Sequence, residues 1–347
     1  MIGLIIFLVV LCLTGYWYKF RSKPTIPSVA PDFQWQTAKP LPIRPFVNKR
    51  NFNPSIGVKN ISAQAEDWLL VEDTYLSNIN IRRKAVEANP DKTMLIPKDK
   101  ITVDALREFY NHVTSFMNAR YPQLFVSDWK GTLHNRITNE DVPCKGNSLS
   151  PREMVISLAT TIEEDFLILM KNNPENSEEE YILRAAVNAF PAGFDPSQSY
   201  NNPISTIHGP VPQYASRLQF SMHKFFNNLK KGDVWVRHNW GIQTHSERFN
   251  LASNHGRPGQ DIQKVTYDEI DFEQGCFLRV ERQCFVRLPK SGAIAMTVRT
   301  YLTPMAMIKK EGNGKELCRA IDGLPEDLAY YKKRDAWGEA VKQYLME

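Results

Sequence analysis

The sequence predicts an α+β fold, and three features of the chain indicate it. Apolar residues at helical spacing dominate the first half of the 347 residues, and alternating strand patterns cluster in the second half. Helices that precede a strand-rich region are typical of an antiparallel sheet with flanking helices. The composition, with 42% hydrophobic and 23% charged residues, is that of a globular chain with enough apolar residues for a large core.

The charge and the cysteines exclude several classes of protein. A net charge of +5, spread along the chain, is too small and too dispersed for a nucleic-acid-binding protein. The five cysteines are scattered and form no C-x-x-C pair, which argues against a zinc ribbon, a disulfide scaffold and an iron–sulfur protein. Their odd number fits a reducing compartment better than a secreted protein.

The N-terminus predicts an uncleaved transmembrane anchor over residues 1–23. Residues 1–18 carry no charge, and three aromatic residues stand directly before the basic cluster that follows. A cleaved signal peptide starts with positive charge, whereas this segment starts neutral. The basic cluster then places the rest of the chain in the cytosol, so we expect a single-pass membrane protein, located in the endoplasmic reticulum.

A proline-rich tether over residues 24–60 and one domain over residues 61–347 follow the anchor. Four helices in this domain have clear signals. The first has an apolar stripe from Val103 to Met117, and the second is opened by the capping box Ser150-Pro151-Arg152-Glu153. The third runs roughly from Gln213 to Lys231, and the last starts at about Pro325.

Three strands follow the first three of these helices, at Val234–Ile242, Phe277–Leu288 and Ala293–Leu302, and the last two predict a β-hairpin. A loop of two or four residues sets Arg282 opposite Arg299. Two facing guanidinium groups require an anion between them, either a carboxylate or a phosphate. A loop of three or five residues shifts the register, and Glu281 then faces Arg299 in an ordinary ion pair. The sequence leaves both registers open.

His208 lies in the most restricted setting of any histidine, within the turn Ile207-His208-Gly209-Pro210-Val211-Pro212. The two prolines fix the backbone and hold the imidazole in one orientation, which suits a metal ligand, although spacing alone favours a structural role. His238 alternates onto the apolar side of its strand. The chain has no nucleotide-binding loop, no zinc-protease motif and no nucleophile elbow.

Short motifs in a fixed order, from about Asp67 to Pro304, give the chain a family resemblance. It resembles the heme-dependent oxidative N-demethylases, specifically their heme-binding alpha subunit and its fungal relatives. The motifs that carry the resemblance include Asp67-Trp68-Leu69, Arg120-Tyr121-Pro122, the His208 turn, Arg237-His238-Asn239-Trp240, Leu278-Arg279-Val280-Glu281-Arg282-Gln283, and Arg287-Leu288-Pro289-Lys290-Ser291-Gly292.

The resemblance implies a PAS-like domain that binds heme b and uses O2 for the oxidative N-demethylation, or a related monooxygenation, of a small methylated amine. Electrons would come from NAD(P)H through a flavin and iron–sulfur reductase supplied by another chain. Two other functions remain open. One is a non-catalytic, membrane-anchored heme sensor or carrier on the same fold, and the other is an anion-binding scaffold.

The resemblance also implies roles for single residues. His208 would be the axial ligand of the iron, with His238 as the alternative. Glu281 would be the distal acid or base, or the group that positions an ammonium substrate, and Asn239 would orient ligands. The remaining residues implied in cofactor binding are Arg237, Arg282 and Arg299, which would hold the heme propionates, together with Arg279 and Trp240.

Overall fold

The computed structural model describes residues 26–47, 56–193 and 195–347, and it confirms the α+β class with antiparallel sheets. A seven-stranded antiparallel sheet has the order β1-β8-β9-β10-β6-β7-β2, and a three-stranded sheet has the order β3-β4-β5. The strands are β1 Lys59–Asn60, β2 Met94–Leu95, β3 Phe125–Ser127, β4 Thr132–Asn135, β5 Glu140–Pro143, β6 Asp165–Met170, β7 Ile182–Val187, β8 Val234–Gln243, β9 Phe277–Arg287 and β10 Ile294–Pro304.

Helices flank the large sheet, and the last four of them follow β10 at the C-terminal end of the chain. The helices are α1 Tyr75–Ala88, α2 Pro90–Thr93, α3 Lys100–Arg120, α4 Pro151–Thr161, α5 Ile204–Ile207, α6 Gln219–Asn228, α7 Met305–Lys310, α8 Gly314–Asp322, α9 Glu326–Tyr331 and α10 Arg334–Met346. The predicted capping box is present at the start of α4, where Ser150 and Glu153 bond each other's backbone and Pro151 occupies the first turn.

The hairpin of β9 and β10 has the register that a four-residue loop requires. The Leu288 N–H donates to the Ala293 carbonyl at 2.8 Å, and Arg282 lies directly opposite Arg299. Gly292 in the loop has φ +71°, a conformation that glycine adopts without strain. The sequence left two registers open, and the structure has the one that places two arginines side by side.

Strand alternation gives the large sheet two different faces. On the core face, apolar residues such as Val236, Cys284 and Ala295 are buried against α3 and α4. On the open face, α6 covers only one end, where Phe225 packs edge-on against Phe285 with ring centroids 5.5 Å apart. The candidate site lies beyond that covered end.

Two predicted helices are interrupted. The helix expected over residues 213–231 consists of a π-helix, Tyr214–Leu218, followed by α6. The helix expected from about Pro325 divides into α9 and α10 because Lys333 takes a left-handed conformation, φ 53°, between them. The break lets the Lys332 carbonyl accept from Trp337 Nε1 at 3.2 Å.

Residues 26–47 lie against the domain. The Val29 N–H donates to the Arg120 carbonyl at 2.8 Å, and Phe46 is 3% exposed in an apolar cluster with the C-terminal helices. Arg44 forms a two-pronged ion pair with Glu311, at 2.7 and 2.8 Å. This part of the predicted tether is therefore packed along the domain surface.

The predicted location as a single-pass membrane protein of the endoplasmic reticulum is wrong. Within residues 26–47, 56–193 and 195–347, no helix is both long and apolar enough to cross a membrane. The helix α3 has 21 residues, but it carries charged residues such as Lys100 and Asp104 on its exposed side. The segment on which the prediction depended, residues 1–23, lies outside the described residues.

Candidate functional site

The open face carries a strip of residues that are only half-buried although their strands lie inside the sheet. Central strands of a sheet with helices on both sides are normally buried on both faces. Here the half-buried residues of the open face extend over four neighbouring strands. We call these residues the open strip: Leu167, Trp235, Arg237, Asn239, Glu281, Met296 and Val298.

Glu281 is the only carboxylate of the open strip, and it is held by neighbours on β8 and β9. Arg279 donates to its Oε1 at 3.4 Å, while Asn239 and Gln283 donate to its Oε2 at 3.4 and 3.1 Å. Burial alone raises the pKa of Glu281, but the Arg279 charge and these hydrogen bonds outweigh it, so the pKa is below its ordinary value. The carboxylate is therefore ionised at neutral pH.

A cleft that is open to solvent lies beside the strip at its uncovered end. Side chains of β8 and β9 form its floor, and the loop after β8 and the end of α9 form its walls. Its lining residues are Ala192, Asn239, Trp240, Gly241, Ile242, Asn254, His255, Arg279, Glu281 and Lys332. Four residues that the sequence analysis selected, Asn239, Trp240, Arg279 and Glu281, thus lie together here.

Lys332 and His255 enter the cleft from segments that the sequence analysis did not select. The Lys332 Nζ donates to the Trp240 carbonyl at 2.5 Å, and burial lowers the pKa of this lysine to about 8. The His255 ring stacks on Tyr331 at 4.3 Å, and burial lowers its pKa to about 4. At neutral pH the cleft therefore holds a charged lysine and a neutral imidazole.

His208 lies at the C-terminal end of α5, on the same side of the sheet as Arg237. Its Nδ1 lies 3.0 Å from the Ile204 carbonyl, and its ring stacks on Tyr214 with centroids 4.8 Å apart. Burial lowers the pKa of His208, and the Arg237 charge lowers it further, so the imidazole is neutral. A carbonyl only accepts, so Nδ1 carries the proton and Nε2 carries the lone pair that a metal needs.

Arg237, on the open strip, has a buried N–H group without a hydrogen-bond partner among the described residues. The atom concerned is Nε, which is shielded from solvent. Burial lowers the pKa of this guanidinium, although the Glu281 charge opposes the shift. A buried guanidinium with an unused N–H is costly unless an anion completes it. Arg237 thus fits an acidic group of a ligand on the open strip.

Arg248 also has a buried N–H group without a partner in the described part of the chain, and the sequence did not point to this residue. The atom concerned is Nη1, and the guanidinium lies 5.2 Å from the Phe190 ring centre. Burial lowers its pKa to about 10. Arg248 stands in an irregular loop with no periodic pattern around it, so only the fold could identify it.

Arg282 and Arg299 lie on the opposite side, the core face, and the chain itself supplies their partners. Arg282 donates to the carbonyls of Asp67 and Trp68. Arg299 is bound by the carboxylates of Glu72, Glu163 and Glu164. The anion that this arginine pair requires is thus a set of the chain's own carboxylates. His238 lies on the core side too, directly across from Arg282.

The charges around the cleft and strip do not balance. Within the part of the chain that the structure describes, Arg237, Arg279 and Lys332 gather around the single carboxylate Glu281, and Arg248 lies beside Arg279. An excess of buried positive charge favours an anionic ligand. The two acid tails of a heme, together with a neutral imidazole for its iron, fit this donor set.

No group of three or more His, Cys, Asp or Glu side chains able to hold a metal ion occurs in the described ranges. A heme iron requires far less of the protein, because the porphyrin supplies four ligands and a single imidazole completes the attachment. One histidine with a directed lone pair therefore fits a heme, whereas it does not suffice for a metal ion bound by protein side chains alone.

Comparison with known protein families gives a match over most of the chain. The family model described as "Haem-dependent oxidative N-demethylase, alpha subunit-like" matches residues 58–342, which is well over half of the chain. The matched range contains every strand of the large sheet, the open strip, the cleft and His208.

Proposed function

Because the chain belongs to the haem-dependent oxidative N-demethylase, alpha subunit-like family, we propose that it binds heme b on the open strip and acts in the O2-dependent oxidative N-demethylation, or a related monooxygenation, of a small amine. The family description supports a heme-dependent oxidative function. The heme type, the reaction and the PAS-like classification of the domain belong to the proposal.

The observation that carries the proposal is the placement of His208 and Arg237 on one side of the sheet. The neutral imidazole has its lone pair on Nε2, and the nearby buried guanidinium lacks a partner on Nε among the described residues. A heme offers both an iron for the first and a propionate for the second. Arg248 is the candidate for the other propionate, and we give Arg282 and Arg299 a structural role.

The chain's own residues transfer protons, orient the catalytic carboxylate and bind the amine. The heme, when bound, supplies the redox chemistry that dioxygen needs. Glu281 takes up and returns a proton at Oε2, where the hydrogen bond from Asn239 is long, at 3.4 Å. Asn239 and Gln283 keep that carboxylate oriented. Trp240 and His255 form walls of the cleft in which the amine is bound.

The electrons have to come from another chain. The sequence contains no nucleotide-binding motif and no grouped cysteines for an iron–sulfur cluster. The family description names an alpha subunit, which supports an enzyme made of several components. We propose a reductase that carries electrons from NAD(P)H through a flavin and an iron–sulfur centre.

An absorption spectrum of the purified chain after addition of hemin tests the proposal. We expect a Soret band and a ferrous–CO band, and both should be lost in His208→Ala. The matched control is His223→Ala, because the His223 Nε2 is already engaged by the protein, 2.7 Å from the Ser177 carbonyl and 3.0 Å from Asn227 Nδ2. His238→Ala should also keep the spectrum, since His238 lies on the core side of the sheet.

Three results separate the candidate functions. A protein that stays colourless with hemin contradicts heme binding altogether. A spectrum lost in His238→Ala but not in His208→Ala contradicts the assigned ligand. A heme-loaded protein that releases no formaldehyde from methylated amines, with NADPH and a reductase present, supports the sensor or carrier function instead.

A further inference from the structure

We propose that the cleft is a carboxylate-binding site and that the amine acted on by this protein is an N-methylated amino acid, whose carboxylate binds Lys332. The assignment of this amine as substrate rests on the proposed function. The carboxylate-binding site itself rests on the charges and hydrogen bonds of the cleft, and it is testable with or without heme.

The charge of the cleft argues against a simple amine as its ligand. Lys332 and Arg279 each contribute +1 and Glu281 contributes −1, so the lining carries a net +1, and Arg237 adds positive charge from the adjacent strip. A small ammonium ion that enters this site meets a net repulsion. A ligand with a carboxylate is attracted instead.

Lys332 is the residue with donors to spare. An ammonium group has three N–H donors, and the Trp240 carbonyl takes one of them at 2.5 Å. Arg279, in contrast, is occupied by the Phe190 carbonyl at 2.6 Å, by Thr300 at 3.3 Å and by Glu281. The anion that enters the cleft therefore binds Lys332, while Arg279 holds Glu281 in place.

Glu281 completes a site for a dipolar molecule. Its ionised carboxylate lines the same cleft as the Lys332 ammonium, so one wall attracts a positive group and the other a negative group. An N-methylated amino acid has both charges a few bonds apart. Its carboxylate on Lys332 places the methylated nitrogen at Glu281, beside the open strip. A methylamine without a carboxylate can use only one half of this arrangement.

Isothermal titration of the purified full-length chain tests the inference with N,N-dimethylglycine, dimethylamine and acetate as probes. We expect N,N-dimethylglycine to bind more tightly than acetate, and dimethylamine to bind most weakly. Lys332→Met should weaken the binding of N,N-dimethylglycine about tenfold or more, because a charge-assisted hydrogen bond is lost. Lys332→Arg should keep most of the affinity.

The control variant is Lys100→Met, since Lys100 is exposed at the start of α3 and its loss leaves the cleft intact. A dimethylamine affinity equal to or above that of N,N-dimethylglycine overturns the inference, and so does unchanged binding in Lys332→Met. The comparison of probes on the unaltered protein stays decisive even if Lys332→Met does not fold.

The absorbance of the same samples distinguishes the two proposals. Heme-loaded protein that prefers dimethylamine contradicts the carboxylate site and leaves heme binding in place. Protein that cannot be loaded with heme, but binds N,N-dimethylglycine through Lys332, contradicts the proposed function and supports the carboxylate site. Formaldehyde release that is faster from N,N-dimethylglycine than from dimethylamine supports both.

Discussion

At the scale of single residues, Arg299 shows how a like-charge pair is accommodated inside the sheet. It lies opposite Arg282, a pairing that destabilises a sheet unless anions intervene. The carboxylates of Glu72 and Glu164 bind it at 2.7 and 3.1 Å, and Glu163 adds a third. Burial raises the pKa of Glu72 and of Glu164, and the opposing Arg299 charge does not fully offset it. These two carboxyl groups therefore take up a proton more readily than exposed glutamates do.

We expect Arg299→Met to destabilise the fold by about 3–5 kcal/mol, because three buried carboxylates lose their cation. Urea unfolding at neutral pH measures the loss. The deficit should shrink as the pH falls, since protonated carboxyl groups no longer need the arginine. The matched control is Arg334→Met, whose partner Glu326 is 84% exposed and whose loss should cost less than about 1 kcal/mol. Equal losses in the two variants contradict this account.

The Lys332 ammonium predicts how binding in the cleft depends on pH. Burial lowers the pKa of Lys332 to about 8; the Glu281 charge on β9 opposes the shift and the Arg237 charge on β8 adds to it. The His255 ring in the same cleft is neutral at this pH. The charged form binds the carboxylate, so affinity should fall as the pH rises through about 8. Acetate is a suitable probe because it stays ionised there. An affinity that stays flat up to about pH 10 contradicts the assignment.

At the scale of elements, the sequence predicted those features that depend on residues close together in the chain. The capping box at Ser150 and the hairpin of β9 and β10 depend on neighbours within a few residues, and both are confirmed. The three-stranded sheet β3-β4-β5 was missed because its strands have only three or four residues. The break at Lys333 was missed because contacts with a distant strand stabilise it.

The candidate site was predictable only in part, for the same reason. Arg279 and Glu281 are two residues apart in β9, a spacing that puts both on one face of the strand, and the structure has them there. Lys332 and Arg248 come from other segments, and only the folded chain brings them close. Arg237 and Arg282 lie on opposite faces of the sheet because of the register between β8 and β9. The sequence distance between the two strands does not define that register.

The start of α4 provides a test at the element scale. We expect Ser150→Ala to destabilise the fold by about 1 kcal/mol, because the Glu153 N–H loses the acceptor that lies 3.2 Å away. Thermal or urea unfolding measures the change. Arg152→Ala is the control, since Arg152 is exposed in the same turn and should shift the stability by less than about 0.5 kcal/mol. A neutral Ser150→Ala contradicts the role of the cap.

At the scale of the whole molecule, three apolar clusters surround the large sheet and leave the polar part of the open strip between them. One packs α3 and α4 on the core face, one packs the C-terminal helices near β8 and β9, and one packs α6 on the open face. The α6 cluster packs against Leu167, Trp235 and Met296, whereas Arg237, Asn239, Glu281 and Val298 belong to none of the three clusters, so a ligand approaches the strip at these four residues. The N-terminal segment 26–47 extends this packing, because Phe46 joins the cluster of the C-terminal helices.

Phe46 therefore connects the segment before the domain to a wall of the cleft. Its ring lies edge-on to Trp240, with centroids 6.0 Å apart, and Trp240 in turn supplies the carbonyl that holds Lys332. We expect Phe46→Ala to destabilise the fold by about 3–5 kcal/mol and to weaken carboxylate binding in the cleft, because the cavity it leaves removes the support of Trp240. Urea unfolding and titration with N,N-dimethylglycine measure the two effects. Leu41→Ala, in the same segment but 40% exposed, should change neither by much. If Phe46→Ala behaves like Leu41→Ala, residues 26–47 do not fold as one unit with the domain.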